Sequence, residues 1–122
     1  MKRNTFIISI FTLCLFAMSC INSGNKAFLV GEWKGAEWLV GDNPSDYDAK
    51  QVHFSFTMVG GYTSDFGRGE ERGTYILRDD KLYTTAEDQL EIMVEIAKLT
   101  KDSLVFNMSR NGQAEILTLI KE

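Results

Sequence analysis

The residues that could perform catalysis or bind a metal are few and stand apart. His53 is the single histidine. It falls in an alternating segment on the face opposite Phe54 and Phe56, which predicts a solvent-facing side chain. A catalytic site needs a nucleophile, a base and an orienting group, and a metal site needs several His, Cys or carboxylate ligands. Neither set can be assembled around His53, so we predict no enzymatic activity, no metal site and no cofactor.

The acidic residues do not change this prediction. Asp42, Asp46 and Asp48 fall in one loop, but the glycine and the distal glutamate of the twelve-residue calcium loop are missing. Glu91 and Glu95 share one face of a strand-like segment at a spacing that suits solvent exposure. We therefore expect the three aspartates to lie in a solvated turn and the two glutamates to lie on the solvent-facing side of a strand.

The two cysteines lie at the start of the chain, in a segment that indicates a location in the cell envelope. Residues 1–19 join a basic start to an apolar stretch that is too short to span a bilayer comfortably, as in a secretory signal peptide. The segment ends at Cys20 and resembles a bacterial lipobox. The resemblance implies lipidation of Cys20, followed by a flexible tether over residues 20–27. The alternative is cleavage elsewhere by an ordinary signal peptidase.

The charge of the predicted mature chain excludes several partners. Removing Lys2 and Arg3 with the signal lowers thirteen basic residues to eleven, against seventeen acidic residues, for a formal charge of −6. This sign argues against nucleic acid and against electrostatic docking on anionic lipid. No acidic run follows Cys20, whereas some Gram-negative bacteria use such a run to mark surface lipoproteins. We expect an outer-membrane lipoprotein that faces the periplasm.

Residues 28–122 are predicted to form one all-β domain. Short segments alternate apolar and polar residues, and turn residues separate them at the 8 to 12-residue spacing that is typical of sandwiches and barrels. One of these segments, Leu90 to Leu99, could also form a helix, but its unbroken two-residue period favours a strand. Short connections favour an antiparallel up-and-down barrel of eight strands, because closure removes both free edges. The predicted strands are Val30 to Val40, Gln51 to Met58, Tyr62 to Phe66, Glu71 to Arg78, Lys81 to Thr85, Leu90 to Leu99, Ser103 to Ser109 and Gln113 to Lys121.

The best candidates for a ligand site are large side chains that should face the barrel interior. An apolar cavity with a few polar groups is the usual form of a small-molecule site. However, eight strands enclose a space that such side chains can also fill by themselves. The sequence is compatible with two roles for the predicted interior residues, namely core packing and cavity lining. These residues are Trp33, Phe54, Phe56, Tyr62, Tyr75, Phe106 and Met108.

An ordered series of short motifs gives a family resemblance that covers most of the predicted mature chain. The chain resembles the small lipocalin-like lipoproteins of Gram-negative envelopes, which implies a barrel that binds a small hydrophobic or amphipathic molecule. It also implies a basic residue over Trp33, for which Lys121 and Arg110 are the candidates. The motifs are Gly31-x-Trp33, Gly61-Tyr62, Gly73-x-Tyr75, Leu82 after Asp79-Asp80, Ile96-x-x-Leu99 leading into Asp102-Ser103-Leu104, and Leu117-x-Leu119.

Two functions from different classes follow. The first is binding of a small hydrophobic or amphipathic molecule by the anchored barrel. The second is a solid barrel whose loops contact another envelope protein, for which the apolar turn Met58-Val59-Gly60-Gly61 and the loop Gly41 to Lys50 are the candidate surfaces. Asp102-Ser103-Leu104 also fits a short O-glycosylation pattern of some envelope proteins, so Ser103 is a candidate modification site.

Overall fold

The computed structural model describes residues 25–110 and 112–122, with the side chain of Arg110 left aside. The predicted signal peptide, the predicted lipidation at Cys20 and residues 21–24 of the predicted tether lie outside this part. Residues 25–29 form a helical turn that packs against the barrel. Across the described ranges, no helix has the length and apolar character needed to cross a membrane.

The fold is the predicted all-β, antiparallel, up-and-down barrel of eight strands. Each strand pairs with its neighbours in the chain, and the first strand pairs with the last to close the barrel. A two-residue strand, β2, folds back on the first strand at the rim, and a 3-10 helix covers Ala49–Gln51. The strands are β1 Gly31–Val40, β2 Asn43–Pro44, β3 His53–Phe56, β4 Gly61–Asp65, β5 Glu70–Arg78, β6 Lys81–Ala86, β7 Ile92–Leu99, β8 Ser103–Arg110 and β9 Gln113–Lys121.

The segment Leu90 to Leu99 is confirmed as a strand, but it begins two residues later than predicted. Asp88 adopts a left-handed conformation with φ +62°, and the amide of Gln89 donates to the carbonyl of Ala86 at 3.1 Å. This turn places Leu90 outside the sheet, where 89% of its surface is exposed. Local turn geometry therefore delays the start of the strand until after Leu90.

The barrel has two different ends. The closed end is formed by the helical turn 25–29 and by the turns 57–60, 79–80 and 100–102. The open end is formed by the loops 41–52, 66–69 and 87–91. The two candidate contact surfaces of the sequence analysis, the turn at Met58 and the loop after Gly41, thus lie at opposite ends of the molecule.

The core runs from the closed end through most of the barrel interior. Inward positions alternate with exposed ones along the strands, as a two-residue period requires, and helical Leu29 adds its side chain from below. Burial of such side chains stabilises the fold by about 1.5–3 kcal/mol each. The most fully buried large side chains, all under 2% exposed, are Trp33, Phe56, Leu29, Leu82, Leu104, Leu117 and Leu119, together with Val52.

Trp33 closes this end of the barrel. Its indole Nε1 donates to the carbonyl of Leu29 at 2.9 Å, so the helical turn is held beneath the barrel. The Nζ of Lys121 lies 4.5 Å from the centre of the Trp33 ring and donates to the carbonyl of Val30 at 2.7 Å. The expected basic residue over Trp33 is therefore confirmed as Lys121.

Gly31 makes this arrangement possible. Its φ is +134°, a conformation that residues with a side chain rarely adopt. A Cβ at this position would stand 2.6 Å from Cε of Lys121. The glycine two residues before Trp33 thus leaves the space in which the lysine side chain crosses the strand.

Candidate ligand-binding site

Most of the predicted interior residues meet in one chain of ring contacts. Phe54 contacts Phe106 at 5.4 Å and stacks on Phe56 at 5.8 Å between ring centres. Phe56 in turn meets Tyr75 edge-on at 5.2 Å and Tyr62 at 6.5 Å. Aromatic pairs of this kind add to the stability of a packed core. Most of the set therefore packs together along the barrel interior.

The other two predicted residues lie at opposite ends of the interior. Trp33 is fully buried at the closed end, beneath Lys121. Met108 is partly buried and packs against the core from the end of β8 that lies toward the open end. Only the second of these positions adjoins the open end of the barrel.

On three strands, the inward residue nearest the open half is less buried than the one below it. Along β3, β7 and β8 the inward residues Phe56, Ile96 and Phe106 are 1%, 7% and 2% exposed. The next inward residue toward the open end is only partly buried in each of these strands. These three side chains, which we call the cup, are Phe54, Val94 and Met108.

Trp38 of β1 and aromatic residues of two loops form a cluster that reaches the cup through Phe66. Trp38 stacks on Tyr47 at 5.1 Å between ring centres and meets Phe66 at 5.8 Å. Phe66 also approaches Phe54 edge-on at 5.7 Å. The guanidinium of Arg68 lies 5.9 Å from the Tyr47 ring. The loops 41–52 and 66–69 thus supply one aromatic wall of the open end.

Three polar side chains are buried in the interior wall. Glu115 is 6% exposed and accepts a hydrogen bond from Nε1 of Trp38 at 3.0 Å. Ser64 and Thr84 are 4% and 6% exposed. Sequence reasoning missed Glu115, although a signal was present, since it shares the two-residue period of Leu117 and Leu119 in β9.

Two phenols occupy the deeper part of the interior. Burial raises the pKa of Tyr62, and nearby Glu71 raises it further, while a hydrogen bond with Thr84 partly offsets both effects. Burial also raises the pKa of Tyr75, whose hydroxyl donates to the carbonyl of Thr57 at 2.5 Å. Both side chains are therefore neutral over the ordinary pH range, and Tyr75 ties β5 to the turn 57–60.

The barrel wall opens at one seam beside the cup. Pairing between β7 and β8 ends at Glu95 and Asn107. Beyond these residues β7 continues with β6 alone, and β8 continues with β9 alone. A groove of about 400 Å³ lies between the separated strands, lined by Ile92, Met93, Val94, Glu95, Asn107, Met108 and Ser109. Val94 and Met108 belong to both the cup and the groove, so the two are continuous.

The residues considered for catalysis or metal binding have other contacts. His53 is exposed, as predicted, and its Nδ1 lies 3.2 Å from Oε1 of Glu122. Asp48 caps the 3-10 helix by accepting from the amide of Lys50 at 3.0 Å. In residues 25–110 and 112–122, no three His, Cys, Asp or Glu side chains gather closely enough to hold a metal ion.

Comparison with known proteins agrees with this architecture. The family model of the lipocalin-like domain matches residues 29–106, and the chain belongs to this family. The structure is similar to that of a lipocalin-like protein from Bacteroides uniformis, with a TM-score of 0.57 and 15% identity over 74% of this chain and 96% of that one. An uncharacterised protein from Bacteroides eggerthii gives a TM-score of 0.59 and 14% identity over 77% of this chain and 99% of that one. A search of curated proteins finds no match.

Proposed function

We propose that this protein is a lipid-anchored binding protein that holds a small hydrophobic or amphipathic molecule at the open end of its barrel. The anchor is the predicted lipid on Cys20, and the expected location is the periplasmic side of the outer membrane. The lipocalin-like fold is typically a binding fold and not a catalytic one. Binding without chemistry is therefore the activity that we assign.

The step in burial at the cup is the observation that carries this proposal. A barrel that served only as a packed module would gain stability by covering Phe54, Val94 and Met108, as it covers the inward residues one step deeper. Instead, these three side chains pack against the core but stay partly exposed. A ligand that covered them would bury the apolar surface that the folded protein leaves exposed to solvent.

The groove beside the cup indicates the kind of molecule. Its volume of about 400 Å³ lies within the range of small-molecule sites, roughly 300–1,000 Å³. Val94 and Met108 supply an apolar inner side, whereas Glu95, Asn107 and Ser109 supply polar groups at the outer lip. An amphipathic molecule fits this arrangement, with its apolar part on the cup and its polar part at the seam.

A dye-binding assay tests the proposal. The probe is 1-N-phenylnaphthylamine, whose fluorescence rises in an apolar site, and binding of fatty acids is measured by its displacement. Met108→Trp should fill the cup and weaken dye binding at least about tenfold, which is about 1.4 kcal/mol. Ile120→Trp is the matched control, because Ile120 is 48% exposed on the outer wall and pairs with Ser103, away from the groove, and it should bind as the wild type does. Equal binding by both variants, or no binding by the wild type across the lipid panel, would contradict the proposal.

A second candidate function is contact with another envelope protein, and one feature of the outer wall favours it. Ile76, Tyr83 and Met93 are direct neighbours across β5, β6 and β7. Ile76 and Met93 are 49% and 51% exposed, so the row leaves apolar surface open to solvent. A photo-crosslinking residue at Ile76 should capture one protein reproducibly in intact cells, and a matched probe at Ile120 on β9 should not.

A further inference from the structure

We infer that the closed end of the barrel rests on the lipid bilayer, with the turn at Met58 and Val59 inserted among the lipids. The inference rests on the proposed lipid anchor at Cys20. It adds a second contact with the membrane and fixes which way the cup points. Four observations carry it: where the chain enters the barrel, how exposed the turn is, how firmly the turn is held, and which charges surround it.

The chain enters the barrel at its closed end. The described residues begin with the helical turn 25–29, and Leu29 is buried beneath Trp33. Five residues, 20–24, separate this turn from a lipid on Cys20. Even fully extended they reach about 18 Å at most, at 3.3–3.6 Å per residue. The closed end is therefore held close to the membrane surface, whichever way the barrel tilts.

The closed end also presents apolar side chains that the fold does not use. Val59 is 94% exposed and Met58 is 59% exposed at the tip of the turn between β3 and β4. Phe28, in the turn through which the chain enters, is 42% exposed. These three residues lie on the same end as the proposed anchor. Apolar tips with this placement suit insertion into the boundary between lipid headgroups and acyl chains.

The turn is held in shape and does not depend on the membrane to form. The amide of Thr57 donates to the carbonyl of Gly61 at 2.9 Å, and the amide of Gly61 donates to Oγ1 of Thr57 at 2.9 Å. Gly60 has a φ of +93°, which closes the turn. Tyr75 donates to the carbonyl of Thr57 from the neighbouring strand. A preformed apolar tip loses little conformational entropy when it inserts.

The charges at the closed end indicate that docking is apolar and not electrostatic. The turns at this end carry Lys26 and Lys101 against Asp79, Asp80 and Asp102. Flanking Lys81 lies 3.4 Å from Asp80, and Lys121 donates to the carbonyls of Phe28 and Val30. Attraction to anionic headgroups requires clusters of basic residues. Contact between this end and the bilayer should therefore persist at high salt.

The test uses the full-length mature protein, lipidated in cells and reconstituted into vesicles of phosphatidylethanolamine and phosphatidylglycerol. Val59→Cys carries an environment-sensitive fluorophore. Leu90→Cys is the matched control, because Leu90 is 89% exposed at the open end and is equally apolar. The Val59 probe should shift to the blue and be quenched severalfold more strongly by nitroxide-labelled acyl chains than the Leu90 probe, at low and high salt alike.

The possible outcomes separate the inference from the proposals that it builds on. Equal quenching of the two probes on protein with an acylated Cys20, or stronger quenching at Leu90, would overturn the orientation alone. Reaction of the fluorophore with the processed wild-type chain, from which Cys14 has left with the signal, would reveal a free thiol at Cys20 and would overturn both the anchor and the orientation. Dye binding at the cup is measured separately and depends on neither result.

Discussion

Replacing Trp33 with alanine is expected to lower the free energy of unfolding by about 3–5 kcal/mol. Trp33 is fully buried, so its removal leaves a large cavity at the closed end. The change also removes the hydrogen bond to the carbonyl of Leu29 and the ring beneath Lys121. Because a domain of this size has a total stability of about 5–15 kcal/mol, the loss is a large fraction of it.

The loss can be measured by urea unfolding followed by circular dichroism and by the fluorescence of Trp38. With a slope of about 1–1.5 kcal/mol per molar urea for a small domain, the midpoint should fall by about 2–5 M. Trp33→Phe provides a second variant that keeps part of the apolar volume but removes the indole donor. It should lose about 1.5–2.5 kcal/mol, between the wild type and the alanine variant.

Two results would refute the reasoning. A loss below about 1 kcal/mol for Trp33→Ala, with an unchanged urea slope, would mean that Trp33 does not hold the closed end. Equal stability of Trp33→Phe and the wild type would mean that the bond to Leu29 contributes nothing. In either case the helical turn 25–29 would need another explanation for its position.

Three further predictions concern stability. Lys121→Met should cost about 1–2 kcal/mol by thermal unfolding, because two carbonyls and one ring lose their cationic partner, whereas exposed Lys98→Met should stay within about 0.5 kcal/mol. The pKa values of Tyr62 and Tyr75 are raised in the folded protein above the ordinary pKa of 10.0. The folded state therefore has its full stability below the unfolded pKa, and this stability is lost as the pH rises through the folded pKa values. The Tyr62→Phe/Tyr75→Phe double variant should show a smaller fall of the urea midpoint at alkaline pH than the wild type. An equal fall in both proteins would contradict this prediction. Gly73→Ala should cost about 1–3 kcal/mol by calorimetry, because its Cβ would collide with the backbone of β6, and a neutral effect would contradict that packing.

The strands could be predicted because one face of each is buried and the period of two is visible in the sequence. Short polar turns such as Asp79-Asp80 then made the up-and-down order the simplest path. The helical turn 25–29 was not predicted, because its position depends on a contact between Leu29 and Trp33. The start of β7 was misplaced because a left-handed Asp88 overrides an apolar residue at position 90.

The candidate site was only partly predictable from sequence. Alternation assigns a residue to the interior but does not give its depth, so Phe54 and Phe56 looked alike although only the second is fully buried. The period of β9 points Glu115 inward, but its bond with Trp38 follows from the register between β1 and β9, which no single segment encodes. The opening between β7 and β8 likewise depends on where pairing stops, and no residue type marks that point.

That opening has a consequence for the solution behaviour of the protein. Closure removes free strand edges from a barrel, yet residues 92–94 and 108–109 face each other without a ladder between them. Ile92 and Met93 are 60% and 51% exposed there, and exposed apolar edges promote pairing between molecules. Glu95 places a charge where the ladder ends, which opposes such pairing. Self-association at high concentration or on heating is therefore expected to begin at this seam, and a ligand seated in the groove would suppress it.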